Sequence, residues 1–131
     1  MNANIEDLGR LLLRLGVGGL LLLHGIYKVQ NGIAFVVESV TRGGLPAFFA
    51  YGVYVGEVVA PLLVITGFYA RIGAWLIAVN MLFALGLVHT PQLFLVEAQS
   101  GGLDIEKQYM YLLSAIALAL LGPGRHAFND R

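Results

Sequence analysis

Seven side chains break otherwise apolar stretches of this sequence: Arg14, His24, Lys28, Glu57, Asn80, His89 and Glu106. Two carboxylates, two imidazoles and a lysine could hydrogen-bond carbonyl oxygens and exchange protons. In lipid each charged group near the bilayer centre costs about 2.5–3.5 kcal/mol on insertion scales, so such groups face inward and pair. The charges balance, with Arg14 and Lys28 against Glu57 and Glu106. Glu57 or Glu106 is the expected partner of Lys28. His24 and His89 could also ligate a haem axially, and the two histidines with Glu57 and Glu106 could hold a divalent ion. No Glu-x-x-His or His-x-x-x-His spacing accompanies them.

Glu57 is the hardest of these to explain away. The runs on either side, 43–56 and 58–70, carry no charge. Pro61 follows four residues later and has no N–H for the Glu57 carbonyl. A carboxylate and an unpaired carbonyl at one depth point to a polar pocket. His24 and Lys28 are four apart and share a helix face. Asn80 would either line that pocket or bridge helices. Tyr54 and Tyr109, with Phe48, Phe49, Tyr51 and Tyr111, would rim it or form an ordinary interfacial belt. Arg14 would either pair inside or snorkel to the headgroups.

The elements that must carry these groups are long apolar segments. Four stretches approach the roughly 20 apolar residues that a membrane span needs: residues 8–29, 46–69, 72–95 and 105–121. Pro46 suits the start of a helix, Asp104 suits an N-cap, and Gly122-Pro123-Gly124 stops the last helix. Between the first two, Ile33, Val36, Val37 and Val40 recur at helical spacing, with Glu38, Ser39, Thr41 and Arg42 largely on the other side. This predicts a short amphipathic helix at the interface or folded back on the bundle. The fold class expected is all-α, a single integral-membrane four-helix bundle over residues 1–131. Gly52 and Gly56 form G-x-x-x-G, which suits close packing within the bundle or a homo-oligomer contact.

Composition agrees. Of 131 residues, 58% are hydrophobic and 12% charged, with mean hydropathy +0.78; soluble domains carry roughly 25% charged residues. Zero net charge without basic runs argues against nucleic acid as a partner. The absence of cysteine removes disulfides, thiolate metal sites and dithiol redox chemistry. Glu6 and Asp7 precede the first apolar run and no small-x-small site follows it closely, so that run is expected to stay. Lys and Arg counts favour both termini in the cytoplasm. Helix direction then puts His24, Lys28, His89 and Glu106 in one outer layer, with Glu57 and Asn80 below it and Arg14 on the inner side.

The order of these interruptions resembles the DoxX family of small bacterial membrane proteins. The match begins at Arg14-Leu15-Gly16 and continues through His24-Gly25-x-x-Lys28. It includes Glu57 with Pro61, then Leu63-x-x-x-Gly67-x-x-x-Arg71, and ends at Gly122-Pro123-Gly124-Arg125. The family's usual closing Ser-Leu-Asp is replaced by His126-Ala127-Phe128-Asn129-Asp130. The resemblance implies a multi-pass protein of the cell inner membrane in a redox or quinone setting.

Three readings follow. The first is a quinone-linked oxidoreductase component, with a pocket of His24, Lys28, Glu57, Asn80, His89 and Glu106 in the outer half of the bundle. Electrons would come from a soluble or membrane redox enzyme. The second is a non-catalytic anchor subunit or a small transporter, surrounded by membrane lipids. The third is a haem or metal-binding bundle on His24, His89, Glu57 and Glu106.

Overall fold

A computed structural model describes residues 3–87 and 106–129. The regular elements among the described residues are all helices, with no strand among them. Five helices are distinguished: α1, Ala3–Asn31; α2, Ala34–Arg42; α3, Ala47–Thr66; α4, Ala70–Leu87; and α5, Glu106–Leu121.

Helix α1 is longer at both ends than the apolar run alone predicts, because a helix continues through polar residues until something stops it. Here Gly32, at φ +84°, ends it. Helix α3 starts one residue later than expected and ends three earlier. Pro46 is its N-cap, in extended conformation rather than inside the first turn. Gly67, at φ +76°, is a left-handed C-cap, and Tyr69 at φ +52° completes a tight reversal into α4. The expected end of the third helix, over 88–95, lies outside the described residues, as does His89. Glu106 opens α5, but its side chain is likewise outside them.

Helix α3 is not uniform. It opens as a 3₁₀ turn, Ala47–Tyr51, and contains a π turn, Val55–Val59, where the Ala60 amide donates to the Val55 carbonyl. Proline at 61 would press its ring on the carbonyl of residue 57 in a regular helix. Widening the turn just upstream relieves that clash, and Glu57 sits in the widened turn.

Among the described residues, two helices are long and apolar enough to cross a membrane: Asn4–Asn31 and Ala47–Thr66. Ala70–Gly86 and Lys107–Leu121 are apolar but shorter. Only 28% and 39% of the two long windows are buried, so most of each faces outward. Leu12, Leu20, Leu23, Leu113 and Leu120 are among the exposed apolar residues. Inside, α1 packs on α3 and α5, and α4 packs on the same two. Their core is Val17 and Leu21 with Ala60, Val64, Ala74, Ile77, Ala115 and Leu118. The many alanines let these backbones approach closely, which favours packing where the solvent is apolar.

Helix α2 is the amphipathic helix the spacing predicts. Val40 is buried, Val36 and Val37 are half-buried, and Glu38 and Arg42 pair on its exposed face at 2.6 Å. It folds back on the start of α3, where Ile33 and Val40 pack with Ala50 and Val53.

Candidate functional site: a buried ion pair in an apolar cavity

The Lys28 ammonium donates to both oxygens of Glu57, at 2.7 Å to Oε1 and 2.6 Å to Oε2. Of the two expected partners for Lys28, Glu57 is in contact; the Glu106 side chain lies outside the described residues. The Glu57 side chain is 6% exposed and that of Lys28 is 28% exposed. A carboxylate so enclosed needs this partner, since burying a charge alone costs several kcal/mol. The last turn of α1 supplies Lys28, and the π turn of α3 supplies Glu57.

Two glycines set this approach. A Cβ on Gly25 would overlap the main-chain carbonyl of Glu57, so α1 comes as close as a backbone can. The Gly25 α-hydrogen points at that carbonyl, which no amide of Pro61 can satisfy. A Cβ on Gly56 would overlap the Asn80 side chain, so α4 presses on the same turn from the other side. Gly56 thus serves the close packing that its G-x-x-x-G spacing predicts.

The pair lies in the wall of a cavity of about 550 Å³. Its polar lining includes His24, Lys28, Ser39, Glu57, Asn80 and Tyr111. Leu21, Phe35, Val40, Phe49, Leu76 and Phe83 are among the apolar walls. The His24 and Tyr111 rings meet edge to face at 6.0 Å. The Asn80 amide nitrogen is buried and has no hydrogen-bond partner among the described residues. Ser39 donates back to the Phe35 carbonyl at 3.0 Å, closing its own turn.

Four of the sequence-predicted pocket residues, His24, Lys28, Glu57 and Asn80, therefore line one space. Tyr54 sits beside it, its hydroxyl 3.4 Å from the Lys28 carbonyl. Tyr109 is half-buried on α5 and does not line the cavity. Ser39, Lys107 and Gln108 do line it and were not singled out. Ser39, expected on the polar side of α2, is instead 4% exposed: it follows the apolar Val36 by three and turns inward with it. Among the described residues, no three His, Cys, Asp or Glu side chains converge to hold a metal ion.

Arg14 belongs elsewhere. It is 1% exposed, and its hydrogen-bond acceptors among the described residues are all main-chain carbonyls. Its Nε donates to the Val64 carbonyl and Nη2 to the Ile65 carbonyl, each at 2.9 Å. Nη1 donates to the carbonyls of Pro123 at 3.1 Å and His126 at 2.7 Å. It neither snorkels nor reaches the cavity. It ties the C-terminal end of α3, where helix carbonyls lack internal partners, to the segment after α5. Asn129 reinforces the tie: its side-chain oxygen accepts from the Tyr69 amide at 3.0 Å.

A helical chain with an outward apolar surface, a buried Lys–Glu pair at one level and an arginine clasp at the other defines a class of small membrane protein. The DoxX family model matches residues 9–90, and the chain belongs to that family. A Bacillus subtilis (strain 168) protein named "Putative oxidoreductase CatD" is 35% identical over 122 residues, covering 93% of this chain and 84% of that protein. No solved structure matches the chain.

Proposed function

We propose that this chain is the quinone-linked membrane component of an oxidoreductase, crossing the cell inner membrane four times with both termini in the cytoplasm. The observation that carries this reading is the Lys28–Glu57 pair in the wall of a largely apolar cavity, beside an amide nitrogen without a partner. Four apolar helices around one core support the bundle. The oxidoreductase name of the Bacillus relative agrees with the chemistry.

The residues fit a ligand that presents carbonyl oxygens. Lys28 directs two ammonium protons at Glu57 and has a third to offer. The Asn80 amide can donate from the neighbouring helix, and His24 can donate or accept. A quinone, when bound, supplies the capacity to take up electrons that this cysteine-free chain lacks. The chain's own part is to orient the ring, exclude water and hold a proton at Glu57 or His24. Electrons come from a partner redox enzyme.

Purification in mild detergent, followed by mass spectrometry of extracted lipids, tests the reading. The expected result is quinone retained by the wild type and weakened by Glu57→Gln. Protein without quinone, and without binding of added quinone, overturns it. The self-contained geometry of the pair, with both carboxylate oxygens already engaged, supports a second reading as a non-catalytic anchor subunit. Capture of a redox enzyme by quinone-free protein would favour that alternative.

A further inference from the structure

Each of the five helices contributes to the wall of the cavity, but α2 is attached differently from the rest. The other four meet around one core, to which Val17, Val64, Ile77 and Leu118 each belong. Helix α2 belongs to a second, separate cluster, in which Ile33 and Val40 pack on Ala50 and Val53 at the start of α3. All four of its polar side chains bond within the helix. Ser39 donates to the Phe35 carbonyl, Thr41 to those of Val37 and Glu38, and Arg42 to the Glu38 carboxylate. Among the described residues, no polar side chain of α2 ties it to the bundle, and apolar contact is what holds it.

Its two ends are glycine turns. Gly32 at φ +84° precedes it and Gly44 at φ +89° follows it, and a Cβ on either would meet nothing within 4 Å. Glycine moves between backbone regions closed to other residues, and the space beside both turns is open. The inner face of α2 covers the cavity. Phe35, Val36, Ser39 and Val40 line it, and Phe35, 63% exposed, stands at its mouth.

We propose that α2 is the lid of the cavity. It swings as a unit about Gly32 and Gly44, between the closed position of the structure and an open one in which its apolar face lies in the acyl boundary of the membrane. The solvent makes both positions accessible. In water, lifting Val36, Val37 and Val40 off α3 would expose apolar surface. In a bilayer that surface meets lipid tails, which are as apolar as the residues it leaves, so only packing is lost. Glu38 and Arg42 pair with each other on the opposite face and stay toward the headgroups in both positions. The entrance so formed leads from the membrane interface, past Phe35, to Lys28 and Glu57. It is independent of which ligand the cavity takes.

The sequence has no cysteine, so one introduced thiol is the sole reporter. Met81→Cys places it in the α4 wall of the cavity, at a position 5% exposed. Ala115→Cys places it in the bundle core, fully buried and not part of the cavity lining. The full chain is reconstituted in lipid nanodiscs, and the rate of reaction with N-ethylmaleimide is measured with and without Ile33→Ala. Ile33 is buried in the α2 cluster and does not line the cavity, so truncating it loosens the lid without piercing the wall. Val37→Ala, at a half-buried position, is a milder second variant. The expected result is Met81→Cys labelling about tenfold faster with Ile33→Ala, and a smaller rise with Val37→Ala, because each removes packing that only the closed lid makes. Ala115→Cys labelling should be unchanged. Met81→Cys rates that neither variant alters would show that the cavity is reached without α2, and would overturn the proposal. Parallel acceleration at Ala115→Cys would show that the whole bundle loosens, and would also overturn it. No quinone enters the measurement, so its outcome stands apart from that of the quinone-retention test.

Discussion

The α-carbon of Gly25 faces the main-chain carbonyl of Glu57 with no room for a side chain between them. This contact, more than the salt bridge, fixes the distance between α1 and α3 at the site. Side chains on those helices could adjust; two backbones in contact cannot. Gly25→Ala is therefore expected to push the helices apart and cost about 1–3 kcal/mol, the usual penalty of overpacking. Thermal unfolding in detergent checks this, with Gly16→Ala as the control, because a Cβ at Gly16 meets nothing within 4 Å. Equal melting temperatures for the two variants would show that α1 can yield at Gly25.

The ion pair makes a prediction of non-additivity. Lys28→Met leaves the Glu57 carboxylate, 6% exposed, without its partner. The loss for removing one member of a fully buried pair is about 3–5 kcal/mol. Lys28 is partly exposed, so the lower end of that range applies. Lys28→Met with Glu57→Leu removes both charges and should recover most of the stability. A double-mutant cycle from chemical unfolding measures the coupling. A double variant as unstable as the sum of the singles would mean that the two residues act independently.

The charged half of this site was legible because lipid-facing sequence makes every charge conspicuous. His24 and Lys28 share a face by their spacing, and Glu57 stands alone between uncharged runs. The amphipathic period of Ile33, Val36, Val37 and Val40 likewise announced α2. Other features leave no such mark. Pro61 signals that the Glu57 carbonyl loses its amide, but not that the chain answers with a π turn upstream. Glycine 25 and glycine 56 look like any packing glycine until the partner backbone or side chain is known. The partners of Arg14 are main-chain carbonyls, which every residue has, so no sequence pattern could name them.

Arg14 is expected to behave as a clasp and not as part of the cavity. Its planar fork reaches four carbonyls on two segments, which a single ammonium cannot reproduce. Arg14→Lys should cost about 2–3 kcal/mol, because buried carbonyls lose charged donors. Hydrogen exchange should rise at residues 122–129 and at the last turn of α3. Binding at the cavity should persist in the fraction that stays folded. Accelerated exchange around Glu57 instead would place Arg14 in the same cooperative unit as the site.

Asn80 gives a test in which stability and ligand retention move in opposite directions. Its amide nitrogen is buried without a partner, a burden of about 1–3 kcal/mol in the ligand-free protein. Leucine has nearly the same shape and no polar atom to satisfy. Asn80→Leu should therefore leave the ligand-free protein as stable or slightly more stable, by up to about 1 kcal/mol. The same change should lower the amount of quinone that co-purifies, since a donor to the ligand is gone. A purely structural asparagine predicts a different outcome: lower stability with retention unchanged. Unfolding of delipidated protein, together with quantitation of extracted quinone from the same preparations, separates the two, because a polar group kept for its ligand burdens the empty fold and repays that burden only when the ligand arrives.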